Sequence, residues 1–284
     1  MENILLQILN YLLLVVKTTL SQILLLLGPM LVLALIMNIV STKLEILGIR
    51  IFGKKIYLYG FAWLGVAVHE LGHAAFAIIF GHKITRIVLF APKSDGTLGS
   101  VHHQYNNKNI YHNIGNFFIG IGPVILGSIV VSLVVYLFLG FSVPSNFNMN
   151  LGKDGVKDLS IIQSNLIQMY DGMLLLIKKV IIEFKTSPLK ATIFLFLVFS
   201  VGSSITLSKP DITSAKQGLL FFVLVLLLFN LITIWLEHLS TSIIIFATGY
   251  MAKLYLTIVF SLILNILFIL FMKIIYFFKS LIFQ

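Results

Sequence analysis

The chain has 284 residues, of which 59% are hydrophobic and only 11% are charged. Soluble domains carry about 25% charged residues, so this composition excludes an ordinary soluble protein. The formal net charge is +10, but the Lys and Arg residues are scattered through loops and helix ends. That distribution favours anchoring at membrane edges and argues against a nucleic-acid-binding surface.

Hydrophobic segments follow one another along the chain and predict an all-α, multi-pass protein of the cell membrane with about six transmembrane helices. They cover residues 4–16, 20–40, 58–80, 115–140, 191–207, 218–236 and 254–277. The stretch 242–253 is either re-entrant or the start of a long last helix. We expect one integral membrane domain over residues 1–284, with flanking hydrophobic helices at 1–40 and 240–284.

Three connections between these segments show regular patterns. Residues 47–60 alternate around a Gly-Lys turn, and residues 83–105 repeat the pattern around Pro92 and Asp95-Gly96, so both predict β-hairpins. Together they predict a small sheet beside the helix that follows the first hairpin. Residues 159–184 have apolar side chains at helical spacing and predict an amphipathic helix at the membrane interface.

The run VAVHELGHAAFAIIFGH at 66–82 places ionisable groups in an apolar helix, where such groups indicate function. His69 and His73 lie four residues apart, so one helix face directs both rings towards a single ion. Glu70 is one position further round, close enough to take a proton from water at that ion. This is the H-E-x-x-H arrangement of zinc hydrolases, and the alternative is a pair of hydrogen-bonded core histidines.

A zinc site needs a third protein ligand, and the absence of cysteine excludes a thiolate. Most remaining acidic residues and histidines are expected to be solvated, to shape turns or to lie at the surface: Asp154, Asp158, Asp171, Glu183, Glu45, Asp95, His82, His102, His103 and His112. Two candidates remain, namely Asp211 and the Glu237-His238 pair. Asp211 follows Pro210 and is equally suited to cap the next helix.

These residues resemble the site-2 protease family of intramembrane zinc metalloproteases. His69, Glu70 and His73 match its first motif, Gly122-Pro123 resembles a second, and Pro210-Asp211 resembles a third. The resemblance covers residues 47–236 and would make this chain a minimal form of the family. Leu126 stands where the family usually has a substrate-positioning asparagine, for which Asn116 is a weak substitute, and Ile212 replaces a usual glycine.

The resemblance implies a zinc-dependent endopeptidase that hydrolyses peptide bonds in or near transmembrane segments of other membrane proteins. It implies that His69, His73 and Asp211 hold Zn²⁺, and that Glu70 is the general base and then the general acid. The expected partners are a membrane-protein substrate and the bilayer, without nucleic acid. Neither the physiological substrate nor the oligomeric state follows from the sequence.

Two other functions compete with this one. A non-catalytic membrane protein of the same fold could bind a partner transmembrane helix, which the altered positions Leu126 and Ile212 favour. Against it stands the intact His69, Glu70 and His73 set, because a binding scaffold gains nothing from a buried glutamate. A metal transporter would need polar residues on several facing helices, and the other spans carry few.

Overall fold

A computed structural model describes residues 2–141, 159–235 and 237–282, which form a helical protein with one small sheet. The helices are α1 (Glu2–Phe52), α2 (Lys54–Ile56), α3 (Trp63–Ile79), α4 (Ile110–Leu139), α5 (Leu159–Thr186), α6 (Pro188–Gly202), α7 (Lys209–Thr233) and α8 (Glu237–Ile282). A π-helical stretch, Tyr57–Ala62, leads into α3, and the strands are β1 (Lys83–Val88) and β2 (Ser100–Gln104).

Five segments within the described ranges are long and apolar enough to cross a membrane: Ile4–Phe52, Lys54–Ile79, Ile110–Leu139, Lys209–Thr233 and Gly249–Ser280. The apolar α6 has only 15 residues. Large hydrophobic side chains are exposed along the outer surfaces of these helices, as lipid-facing residues would be. The fold is therefore compatible with the integral membrane protein that the composition predicts.

The predicted hairpin at 47–60 is wrong. Residues 47–52 continue α1, which is one helix from Glu2 to Phe52, and Gly53 ends it with a φ of 84°. The Gly53 N–H still donates to the Ile49 carbonyl at 2.9 Å, so the Gly-Lys pair breaks a helix and does not form a strand turn. Tyr57 and Leu58 then pack into a small buried cluster with Phe199, a contact that no local periodicity reports.

The predicted hairpin at 83–105 is confirmed. β1 and β2 pair antiparallel from Lys83 opposite Gln104 to Val88 opposite Ser100, with an irregularity in register around Thr85. The hairpin comes directly after α3, so the small sheet lies beside the helix that carries the histidines. It contains only these two strands among the described residues, because the first predicted hairpin is helical.

Helix α4 lies between α3 and α7, packs against both, and so fixes their positions relative to each other. A side chain at Gly72 of α3 would place its Cβ 2.7 Å from the Pro123 Cα of α4. A Cβ at Gly120 of α4 would lie 2.6 Å from the Ala215 backbone nitrogen of α7. Both crossings therefore depend on glycine, since only a residue without a Cβ lets the backbones approach so closely.

The main apolar core lies where α4 meets α1, α6 and α8. Its fully buried members include Met30 of α1, Ile121 of α4, Phe194 of α6, and Leu256 and Phe260 of α8. This core holds the middle of α4 in place, and α4 in turn positions the two helices that carry the candidate ligands.

Candidate metal centre

Helix α3 presents His69 and His73 on one face, one turn apart, with ring centroids separated by 5.1 Å. Both side chains are mostly buried, at 15% and 14% exposure. The spacing is what an α-helix dictates for residues four apart, so the sequence alone predicts the pairing of these two rings. What the sequence does not show is where their nitrogens point.

Each ring donates its Nδ1 proton to a backbone carbonyl. His69 Nδ1 lies 3.0 Å from the Ser204 oxygen, and His73 Nδ1 lies 2.8 Å from the Ile119 oxygen. A carbonyl oxygen only accepts hydrogen bonds, so both protons are assigned to Nδ1. In the neutral rings, Nε2 therefore carries a free lone pair, which is the form of histidine that binds metals.

The carbonyl that His73 uses is available because of Pro123. Proline has no N–H, so residue 123 cannot form the usual hydrogen bond to the carbonyl four positions earlier, which is that of Ile119. Pro123 lies inside α4, where this missing bond leaves the Ile119 oxygen free to accept from His73. The Gly-Pro pair therefore serves two purposes, since Gly122 and Pro123 also form the close crossing with Gly72.

Asp211 both caps α7 and faces the two histidines. Its Oδ2 accepts the Ser208 N–H at 2.7 Å, while its own N–H is directed at the Ser208 Oγ at 3.4 Å, which makes a capping box. Oδ1 lies 3.1 Å from His73 Nε2, and Oδ2 lies 3.6 Å from His69 Nε2. The sequence leaves open whether Asp211 caps α7 or lies at a ligand position. In the structure, its carboxylate does both.

These three side chains can hold a metal ion. One ligand atom from each of His69, His73 and Asp211 lies within 4.8 Å of the others. The Nε2 atoms of His73 and His69 face different oxygens of the Asp211 carboxylate, at 3.1 and 3.6 Å, so the three side chains converge on one space. Two imidazoles and one carboxylate suit zinc and also other divalent transition metals.

Glu70 is buried at 8% exposure and lies beside the hairpin. A Cβ at Gly99 would lie 2.6 Å from Glu70 Cγ, so glycine at this position lets the hairpin backbone cover the glutamate. Glu70 borders the same cavity as the candidate ligands. No hydrogen bond or ion pair links its carboxylate to another residue in the described ranges, so the carboxylate is available to a molecule in the cavity.

The cavity has a volume of about 660 Å³ and is lined by several parts of the chain. Its walls come from α1, from the π-helical stretch with α3, from the β2 side of the hairpin, from Ile119 of α4, and from the segment that joins α6 to α7 together with the start of α7. The polar groups thus face a space lined by protein, which is the arrangement that membrane-embedded polar residues require.

The other residues considered from sequence lie elsewhere. Asp95 accepts the Thr97 N–H at 2.8 Å in a turn, which lowers the pKa of its carboxyl, and Glu183 pairs with Lys190 at 2.9 Å. Asn116 is 2% exposed and its side-chain nitrogen has no hydrogen-bond partner. Asp154, Asp158 and the side chains of Glu237 and His238 lie outside the described part of the chain.

His82 is buried and His103 is half-buried, contrary to the sequence-based expectation of surface histidines, whereas His102 is exposed as expected. His82 is only 5% exposed, and its Nε2–H donates to the His112 carbonyl at 2.9 Å. Its Nδ1 therefore accepts from His103 Nδ1, 2.9 Å away, and burial lowers the pKa of both rings. His102 and His103 both belong to the lining of the cavity. A pair of adjacent histidines in a strand gives no local sign of this.

Glu45 is a further cavity residue that the sequence misplaces. The sequence-based prediction places it in the region of the wrong hairpin at 47–60, whereas α1 continues past it and brings it to the cavity wall. The geometry thus extends the candidate site beyond the residues that the motifs identify.

Comparisons with protein-family models, with curated proteins and with solved structures found no match for this chain.

Proposed function

We propose that this protein is a zinc-dependent intramembrane endopeptidase, similar to the site-2 proteases, that cuts peptide bonds in or near transmembrane segments. The proposal depends on one arrangement in particular. Two imidazoles with their protons held on Nδ1 direct their Nε2 lone pairs at a single buried carboxylate. Lone pairs and a carboxylate repel one another unless a proton or a metal ion lies between them, and a single metal ion would satisfy both rings and the carboxylate together.

A zinc ion bound there would supply a Lewis acid and acidify a water molecule. His69, His73 and Asp211 would leave one position open, since tetrahedral zinc has four ligands. Glu70, next to His69 on α3 and without a described partner, would take the proton of the attacking water and pass it to the leaving amine. The protein walls would keep this water and the substrate amide together, away from lipid.

The hairpin offers a way to hold an extended substrate. β2 has a partner strand on one edge only among the described residues, and Ser100, Val101, His102 and His103 line the cavity. A substrate segment unwound from its helix could pair with the other edge through backbone hydrogen bonds, which do not depend on substrate side chains. Such pairing would place an amide beside Glu70, which the hairpin covers at Gly99.

The membrane topology belongs to the same proposal. We place the five long apolar segments across the cell membrane, and α6 as a sixth, shorter span beside them. At 1.5 Å per residue α1 is about 75 Å long, well beyond a hydrocarbon core of about 30 Å, so it must tilt or extend past the bilayer. The site would then lie at membrane depth, between α3, α4 and α7.

The test replaces Glu70 with Gln in the purified full-length protein. We expect the variant to bind zinc like the parent but to cleave single-span reporter peptides at least ~100-fold more slowly, because only the proton acceptor is lost. Metal content is measured by mass spectrometry and cleavage by product analysis. Glu183→Gln is the matched control, since it makes the same chemical change outside the cavity and should leave cleavage unchanged.

The alternative, a non-catalytic protein that binds a partner helix, makes a different prediction. Such a protein would purify without stoichiometric zinc and would cleave none of the reporter peptides. The packing of Ile212 against the apolar core, at a position where the family usually has glycine, is the observation that favours it. If the Glu70→Gln variant holds zinc and still cleaves at the parental rate, the assigned mechanism is wrong.

A further inference from the structure

The end of the cavity formed by α1 carries a second polar group that the proposed chemistry does not use. Glu45 and Ser41 of α1 and Tyr57 of the π-helical stretch line this end, while the candidate ligands lie on the walls formed by α3 and α7. Both ends belong to one continuous cavity of about 660 Å³. A substrate at the metal position therefore lies in a space that Glu45 also borders.

Neither Glu45 nor Tyr57 has a polar partner in the part of the chain that the structure describes. The Glu45 carboxylate forms no ion pair or hydrogen bond with any described residue, in contrast to Glu183. Tyr57 is 5% exposed, and its hydroxyl makes no hydrogen bond either, although the charge of Glu45 acts on it. A buried phenol without a partner is costly, and the half-buried Glu45 carboxylate lies beside it, so a ligand that pairs with both groups is favoured.

The charge of the cavity indicates what that ligand is. Among the described residues, its lining includes the carboxylates Glu45, Glu70 and Asp211 but no Lys or Arg, although the chain as a whole carries a net charge of +10. A carboxylate beside a tyrosine ring and hydroxyl binds an ammonium or guanidinium group by charge-assisted hydrogen bonding and by attraction to the ring. Lys and Arg are also the residues that commonly flank transmembrane segments.

We propose that Glu45 and Tyr57 form a subsite for a basic side chain of the substrate, so that the enzyme selects segments with Lys or Arg close to the scissile bond. This inference rests on the proposed protease function. It narrows the substrate class to membrane proteins that are cut near the charged edge of a transmembrane segment. Glu45 determines specificity in this scheme and takes no part in the hydrolysis.

The experiment uses zinc-loaded full-length protein and a series of single-span peptides. Each peptide carries Lys at one position around the cleavage site and is compared with its norleucine counterpart, which has a similar chain without the charge. We expect one position at which Lys raises kcat/KM about 10- to 100-fold, the range for a charge-assisted hydrogen bond. In Glu45→Gln this ratio should fall to about one, and Glu183→Gln, outside the cavity, should keep it.

A binding measurement separates failure of the subsite from failure of the protease. The same peptides are titrated into Glu70→Gln protein with and without Glu45→Gln, so that affinity is measured without turnover. A Lys preference that depends on Glu45 supports the subsite, even if the wild-type protein cleaves nothing and the proposed activity falls. Equal affinities for Lys and norleucine peptides, or a Lys preference that survives Glu45→Gln, would overturn the inference. Tyr57→Phe should lower the preference only in part, since the ring remains.

Discussion

Single residues in this protein carry more than one task, and Pro123 is an example. Within α4 it withholds the backbone N–H that would otherwise occupy the Ile119 carbonyl, and His73 takes that carbonyl. It also contacts Gly72, where α3 crosses α4. A motif that the sequence presents as family resemblance thus has a physical role, because it fixes the tautomer and direction of a candidate ligand.

Replacing Pro123 with Ala tests this role. Ala supplies an N–H that competes with His73 for the Ile119 carbonyl, so the ring loses part of its support without any added bulk. We expect zinc affinity to fall about 10-fold, at the lower end for lost second-shell partners, as measured by competition with a chelator of known affinity. Pro29, inside α1 and away from the cavity, offers the control Pro29→Ala. Equal affinities in the two variants would contradict the assigned role.

At the scale of elements, the hairpin is attached to the helices through histidines. His103 of β2 donates to His82, which follows α3, and His82 donates to the His112 carbonyl at the start of α4. The Tyr105 ring also stacks on His82, with centroids 4.8 Å apart. This junction uses neutral imidazoles, because a proton on His82 Nδ1 would remove its acceptor and place two donors face to face.

The junction should weaken as the pH falls. Burial lowers the pKa of His82 and of His103 below the ordinary value of 6.5, so the undocked hairpin binds more protons than the docked one. Docking is then fully stabilised above about pH 7 and loses stability as the pH falls below 6.5. We expect amide hydrogen exchange of residues 83–104, corrected for the intrinsic rate, to increase between pH 7.5 and 5.5.

The control for this effect is His103→Gln, whose amide can still donate to His82 but does not titrate. Its hairpin should show a smaller change in protection over the same pH range, while the amides of α4 serve as an internal reference. A pH dependence of equal size in parent and variant would show that the histidine pair is not its origin.

At the scale of the whole molecule, a buried polar cluster ties the first helix to the helix that carries Asp211. Asn230 of α7 donates to Thr19 Oγ1 and to Gln22 Oε1 of α1, both at 2.8 Å, and Gln22 donates back to the Asn230 Oδ1 at 3.2 Å. Asn230 is fully buried. Between apolar helices there is little hydrophobic force to choose one packing, so such hydrogen bonds help to specify it.

Replacing Asn230 with Leu should therefore destabilise the assembly. The Gln22 amide would lose its partners, and an unpaired buried polar group costs about 1–3 kcal/mol. We expect that loss in the free energy of unfolding in detergent, and expect the Gln22→Leu/Asn230→Leu double variant to recover part of it. If the Asn230→Leu variant, the Gln22→Leu variant and the double variant all had the same free energy of unfolding as the parent protein, the cluster would contribute nothing to packing.

The sequence by itself determined the elements whose cause is local. The apolar runs predict helices, the four-residue spacing brings His69 and His73 to one face, and the turn at Asp95-Gly96 forms the second hairpin. The same reasoning fails at 47–60, where alternation is no sign of a strand. In an apolar environment both faces of a helix are hydrophobic, so polarity no longer reports which residues are buried.

Only the tertiary structure decided which distant groups meet. Asp211 reaches the histidines because glycines let α4 approach α3 and α7, and Glu45 joins the same cavity because α1 continues as a helix to Phe52. Asp211 is separated from the histidines by more than a hundred positions along the chain, and a helix break at Gly53 separates Glu45 from them, so no local period relates these residues. Their meeting depends on the close packing of whole helices, which is a property of the complete fold and not of any segment of it.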